Sequence, residues 1–166
     1  MDIAITWDSF AERGDWSIAE SDLALGDALD SAVLVSIFSD RIAPDQPTSS
    51  DTAVGISAPA GPIGSSGADR GGWWGDAFMA RPIGSRLWQM RRAVKSGATA
   101  IPAEIKIILT EALQWLVDDG VAAAITVDAW WSVVSRQTVE FSVALTEPGV
   151  SGARVFRFSW AWGELQ

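Results

Sequence analysis

The chain has 166 residues, ten of them tryptophan and none of them cysteine, histidine or tyrosine. That length suits one domain with a real core, and the missing residue types exclude disulfides, thiolate nucleophiles, zinc fingers and Ser-His-Asp triads. The formal charge of −9 is lopsided, because residues 1–69 carry twelve acids against Arg13 and Arg41 while residues 70–166 carry nine acids and ten bases.

Met1-Asp2 opens without the basic start of a secretory signal. No apolar run approaches the roughly 18 residues of a membrane span, so a soluble chain made in a cytoplasm is expected. Ile3, Ile5 and Trp7 alternate with polar residues as a short strand does, and Trp16-Ser-Ile-Ala resumes the pattern after a polar turn at residues 12–15. Asp27 is placed to cap a helix, with Asp30 in its first turn. Leu29, Ala32, Val33, Ser36 and Ile37 form its stripe, and Val35 with Phe38 widens the apolar surface, so this helix is expected to be covered on more than one side.

From Ala43 to Asp69 the composition turns to Pro, Gly, Ser and Ala. Without apolar periodicity, this stretch reads as a linker or long excursion, and a partner surface is expected to order part of it.

Gly71-Gly-Trp-Trp-Gly-Asp76 comes next. Burying one tryptophan removes roughly 150–250 Å² from water, about 4–6 kcal/mol as an upper bound. A glycine-rich loop holding Trp73 and Trp74, with Trp88 close behind, must therefore pack on its own core, a ligand or another protein. Gly84-Ser85 is expected to open a helix to about Lys95. Arg81, Arg86, Arg91, Arg92 and Lys95 make a basic run without an acid, either a solvated face or a docking surface for an acidic partner or an acidic segment of the chain. Phosphate would be repelled by the chain as a whole, so nucleic acid is not an expected partner.

A third helix is the clearest element. Pro102 sits in its first turn, Glu104 favours the helix dipole, and Gly120 ends it as a left-handed cap. Ile105, Ile108, Leu109, Ala112, Leu113 and Leu116 give the apolar stripe between. Three alternating strands follow, around Ile125–Trp131, Thr138–Leu145 and Phe156–Trp162. The fold class is therefore α+β, a small single domain over residues 1–166. An antiparallel C-terminal meander packs on a long amphipathic helix, with N-terminal strands and a further helix beside it.

Only carboxylates are serious catalytic candidates. Asp118 and Asp119 are adjacent at a helix end. Neighbouring helix residues point about 100° apart, whereas a glycosidase needs two carboxyls converging across a sugar site. Gly71–Gly75 lacks the Lys-Ser/Thr of a phosphate loop. No metal constellation, catalytic residue or cofactor site is read from the chain. Core packing is the default for Trp7, Trp88, Trp115 and Trp160. The pairs Trp73-Trp74 and Trp130-Trp131 differ, since two neighbours cannot easily face one core and strand neighbours point to opposite faces. Paired tryptophans therefore predict an interaction surface.

Several stretches carry a resemblance. They are Ile3–Asp8, Ala32–Arg41, Arg70-Gly-Gly-Trp-Trp-Gly-Asp76, Ile83-Gly-Ser-Arg-Leu-Trp88 and Glu111–Val121. In these the chain resembles the baseplate proteins of Mu-like contractile-tailed phages, themselves similar to the small baseplate wedge protein, or sheath initiator, of T-even tails. The resemblance implies a non-enzymatic structural protein of the virion tail baseplate, assembled in the host bacterial cytoplasm in multiple copies. It would join the wedge, clamp the helical bundle of larger wedge proteins and start sheath polymerisation by strand addition at an open sheet edge. The tail sheath protein and hub or tube proteins are the other partners implied, with no membrane. The T-even relatives carry Glu-Pro-Arg after the long helix where this chain has Asp118-Asp119-Gly120, so a contact made by that motif does not carry over.

The interaction residues expected are Trp73, Trp74, Asp76, Arg86 and Trp88, with Trp130 on the outer sheet face. An ion pair between Asp76 and Arg86 is expected to fix the glycine-rich turn. The alternative is a glycan-binding or lysozyme-like domain, with tryptophan rings lining an open groove beside two carboxylates.

Overall fold

A computed structural model describes residues 2–8, 13–19, 22–56, 70–90, 98–135 and 137–161. Its N-terminal part is a ribbon of short antiparallel strands: β1 (Asp2–Ile3), β2 (Ile5–Asp8), β3 (Arg13–Trp16), β4 (Ile18–Ala19), β5 (Asp22–Leu23) and β6 (Leu25–Gly26). β2 pairs with β3, β4 with β5, and β6 returns to β1. The three ladders meet where the Ala4 N–H donates to the Ala24 carbonyl and the Ala24 N–H donates to the Ser17 carbonyl, both at 2.8 Å.

Helix α1 (Ala28–Phe38) begins as expected, its Asp27 carboxylate accepting the Leu29 N–H at 2.9 Å. Leu29, Val33 and Ile37 enter the core, while Ser31 and Leu34 are buried as well. The helix is thus covered on two sides, by the long helix and by the ribbon, to which the Ser31 hydroxyl donates at the Ile3 carbonyl.

The stretch expected to be a linker contains a packed helix. α2 (Ser49–Ala53) is held by a reciprocal cap: the Asp51 N–H donates to the Thr48 hydroxyl, and the Thr48 N–H donates to the Asp51 carboxylate. Asp51, Val54 and Ile56 are buried against the chain itself. Residues 57–69 lie outside the described set.

A 3₁₀ turn, η1 (Trp74–Phe78), and the short helix α3 (Leu87–Met90) follow. The rest of the helix expected to reach Lys95, with Arg91 and Arg92, falls outside the described residues.

α4 (Ala100–Asp118) buries every residue of its expected stripe and ends at Gly120, whose φ of 72° is the left-handed cap. Each Leu or Ile so buried contributes about 1.5–3 kcal/mol. One side of α4 meets α1, α2 and α3; another carries the sheet β7 (Ala124–Trp131), β8 (Thr138–Thr146) and β9 (Arg154–Ala161), an antiparallel meander in that order. Val139, Phe141, Val143 and Leu145 alternate inward from the central strand β8. Phe38 of α1 reaches the sheet, its ring meeting that of Phe158 edge to face at 5.4 Å. The architecture is α+β, with one apolar core. The side chains of Trp7 and Trp160, expected in that core, are outside the described set.

Candidate partner-binding surface

The glycine-tryptophan block builds an exposed aromatic corner on a pinned turn. Asp76 makes the pin: its Oδ2 accepts the Trp73 N–H at 3.3 Å and its Oδ1 accepts the Ile83 N–H at 3.0 Å. The Trp73 ring folds over Gly75, where an added Cβ would sit 2.1 Å from ring carbon. Trp74 is thereby turned outward, 77 % exposed, and Phe78 is 82 % exposed. Their rings meet at 6.4 Å near edge-on, and Trp73 lies 5.2 Å from Trp74. Met79 continues the patch. Phe78 and Met79 stand between Ala77 and Ala80 with no apolar periodicity to single them out; the four-residue spacing of Phe78 from Trp74 was the available signal.

Behind the corner, residues 39–43 run between two other segments. On one side Ser85 donates its N–H to Ser39 and accepts that of Arg41. Gly84, at φ 96°, packs so closely that a Cβ would lie 2.2 Å from the Ser39 carbonyl. On the other side the Ala43 N–H donates to the Arg70 carbonyl. Trp88 is half-buried here and donates its indole N–H to the Arg41 carbonyl at 2.9 Å. It supports the corner from inside.

Arg86 is also internal, and the expected Asp76–Arg86 ion pair is replaced by others. The Arg86 side chain, 7 % exposed, places Nη1 2.9 Å from Asp51 Oδ1 and Nε 3.2 Å from Glu111 Oε2. Asp76 accepts two backbone N–H groups of its own turn, while Arg86 is drawn inward by Asp51 and Glu111 and so is not turned toward it. Burial opposes the charge on Asp51, but the Thr48 N–H, Arg86 and the Thr48 hydroxyl outweigh it and hold the carboxyl below its ordinary value. Burial likewise opposes Arg86, which Asp51 and Glu111 nevertheless raise.

Glu104 departs from its expected role at the helix dipole. It is buried beside Asp51, and burial together with that carboxylate pushes its pKa up. Its Oε1 has no hydrogen-bond partner among the described residues.

Part of the lopsided charge is paired within the chain. Arg86 reaches Asp51, Arg70 reaches Asp45, and Arg154 reaches Asp27 and Asp30. Basic side chains of the second half thus fasten acids of the first; of the basic run, Arg86 does so, Arg81 meets Asp118 and Asp119, and residues 91–95 lie outside the described set.

An open groove of about 770 Å³ lies between α1 and α4, closed on one side by residues 79–84. Asp118 and Asp119 line it together with Trp115, and Arg81 spans both carboxylates at 3.6 and 2.6 Å. Exposed tryptophan rings would suit a glycan or a protein equally. The groove places one tryptophan, Trp115, beside the two carboxylates; that pair is tied to Arg81, and among the described residues the lining includes neither Trp73 nor Trp74. Among the described residues no acidic cluster is arranged to hold a metal.

On the sheet, Trp130 and Trp131 do point to opposite faces. Trp131 is half-buried and donates its indole N–H to the Ala98 carbonyl. Trp130 stands on the outer face and donates to Glu140, its cross-strand partner, at 2.9 Å. The corner therefore unites Trp73, Trp74 and Asp76; Trp88 and Arg86 lie behind it, and Trp130 belongs to a separate element.

Residues 29–152, which hold α1, the corner, α4 and most of the meander, match the family described as Phage protein GP46. The chain belongs to that family. It is 30 % identical over 162 residues to the Mu-like prophage FluMu protein gp46 of Haemophilus influenzae, an alignment covering 96 % of this chain and 98 % of the relative. It is 40 % identical over 128 residues to the baseplate protein gp46 of Escherichia phage Mu, covering 77 % and 76 % of the two chains. The GP46 family match spans both the pinned turn and the long helix beneath it.

Proposed function

We propose that this chain is a non-enzymatic component of a phage tail baseplate that joins the wedge and nucleates sheath assembly through protein contacts. Its kinship with the baseplate protein of phage Mu supplies the setting. The observation that carries the reading is the aromatic corner: Trp73, Trp74 and Phe78 are held in water by a turn that Asp76 pins at both ends. Large rings kept exposed on a fixed backbone are the form of a protein-binding hot spot, because burying them on a partner costs little ordering entropy. Larger wedge proteins are the occupants proposed for the corner.

Sheath nucleation draws on β9. It is the last strand of the meander, and its outer backbone edge has no ladder partner among the described residues. An open edge of this kind accepts an added strand from a neighbouring chain. The sheath protein is the proposed donor, with hub or tube proteins as further neighbours. No helix among the described residues is long and apolar enough to cross a membrane.

Co-expression with the products of neighbouring genes tests the reading. A complex with larger wedge partners is expected for the wild type and lost for Trp73→Ala/Trp74→Ala, while the variant chain stays folded. A chain that ignores those partners and binds or cleaves peptidoglycan overturns it.

A further inference from the structure

The aromatic corner and the groove between α1 and α4 are neighbours. Met79 belongs to both: it continues the exposed patch of Trp74 and Phe78, and it lines the groove at the start of the wall formed by residues 79–84. One chain therefore carries an apolar protrusion beside an apolar depression. Ala32 and Val35 of α1, Ala112 and Trp115 of α4 and Pro82 of the wall supply apolar lining, and Val35 is exposed there.

The charged groups on these two surfaces already have partners within the chain. Arg81 spans Asp118 and Asp119, Arg41 lies 3.4 Å from Glu111, and Asp76 accepts two N–H groups of its own turn. What is left to cover is apolar. Charge beyond about 8 Å is screened at physiological salt, so the net charge of −9 does not bar a like chain from this contact.

The geometry points to a second copy of this chain as the occupant: two copies face each other across a twofold axis, and the Trp74–Phe78 edge of each enters the groove of the other. A protrusion beside a depression is self-complementary under a twofold, because one rotation closes both contacts. Size agrees. Grooves of roughly 300–1,000 Å³ enclose compact groups such as an indole with a phenyl ring, and this one holds about 770 Å³. Area agrees as well. Rings of this kind bury roughly 150–250 Å² each, so one inserted edge removes about 300 Å² from water and covers a similar area of groove. Two insertions cover roughly 1,200 Å² in all, the lower bound of a specific interface. A dimer with a Kd on the order of 10 μM is therefore expected. Its consequence is regulatory: the free chain shields its own corner until a wedge protein displaces the second copy. That consequence rests on the function proposed above, whereas the dimer does not.

Sedimentation equilibrium of the purified full chain tests this. The wild type is expected to dimerise, and two variants should each weaken association by about tenfold or more. Trp74→Ala/Phe78→Ala removes the inserted edge, and Val35→Glu sets a charge in the groove. Val35 is exposed, so Val35→Glu should leave the melting temperature of the dilute chain unchanged. Mixed in equal amounts, the two variants should associate more tightly than either alone, since the intact corner of one meets the intact groove of the other. A wild-type chain still monomeric at about 100 μM, far above the expected Kd, would overturn the inference. So would a dimer untouched by either variant, or a mixture no tighter than its components. Adding the wedge partner separates the two readings. A monomeric chain that still forms the wedge complex, lost for Trp73→Ala/Trp74→Ala, overturns the dimer alone. A dimer that binds the wedge partner without dissociating overturns the corner as the wedge contact, together with the shielding, and leaves the dimer standing.

Discussion

Arg86 and Asp51 form an ion pair buried between α2 and α4, Nη1 to Oδ1 at 2.9 Å, with side-chain exposures of 7 % and 1 %. The pair joins the basic half of the chain to the acidic half. It also supplies the reason a five-residue helix docks at all, since α2 has little apolar surface to offer beyond Val54 and Ile56, which follow it. Two charges out of water are tolerable only when each is fully partnered. Here Thr48 and Glu111 complete the set.

Removing either partner leaves the other's buried charge less than fully compensated. Arg86→Ala is expected to lower unfolding free energy by about 3–5 kcal/mol, and Asp51→Ala by a similar amount. The double variant should cost distinctly less than the sum of the two, because their losses overlap. Urea denaturation of the three variants checks this. Additive losses, or single losses below about 1 kcal/mol, would show that the pair does not hold α2 in place.

Glu104 gives the cluster an opposite pH response. Burial, then Asp51, raises its pKa, so the folded chain keeps the proton over a range in which the unfolded chain, near the ordinary value of 4.5, has released it. Stability from this group is present below pH 4.5 and is lost as pH rises through the folded-state pKa. Asp51 works the other way: its depressed pKa gives stability present above the ordinary 3.8 and lost as pH falls through the folded value. Arg86, Glu111 and Ser50 are the other charged or polar groups bearing on the site. Glu104→Gln should therefore flatten the decline in melting temperature above pH 4.5 relative to wild type. Parallel melting curves across that range would contradict the assignment.

Much of this fold is legible in the sequence. The stripe from Ile105 to Leu116 and the alternation of β8 state their burial in their spacing, and Asp27 and Gly120 mark helix ends because few other residues satisfy those backbone positions. α2 was missed because periodicity detects helices that bury a stripe. This one is fixed by its cap and a single buried carboxylate. The pattern Thr48-x-x-Asp51 was the signal present. The Asp76–Arg86 expectation failed for a different reason. The pair was expected because both residues lie in the stretches that carry the resemblance, whereas the backbone N–H groups of Trp73 and Ile83 are the ones aimed at Asp76. The paired tryptophans, by contrast, declared an exposed member from spacing alone.

Gly84 joins the segment behind the corner to α1. At φ 96°, with a Cβ position 2.2 Å from the Ser39 carbonyl, an alanine faces both backbone strain and a main-chain clash. Strain of this kind costs about 1–3 kcal/mol before the clash is added. Gly84→Ala should lower stability by at least that and loosen the Ser85 bonds to Ser39 and Arg41, seen as faster amide exchange at those residues. Unchanged exchange would show that the loop relaxes without releasing α1.

Trp74 and Asp76 separate the two duties of the corner. Trp74 is largely in water, so Trp74→Ala should leave folding stability within about 0.5 kcal/mol of wild type. The same change should weaken the proposed complex with a wedge protein by about 2 kcal/mol, roughly thirtyfold in Kd, as hot-spot tryptophans do. Asp76→Ala removes the acceptor from both Trp73 and Ile83 without touching an exposed ring. It should weaken the same complex while also lowering stability by about 1 kcal/mol, because the turn that presents Trp73 and Trp74 loses its pin. Titration calorimetry with the purified partner, beside thermal melts of each variant, distinguishes these effects. If Trp74→Ala binds as wild type, the corner is not the contact, and the exposed rings need another explanation.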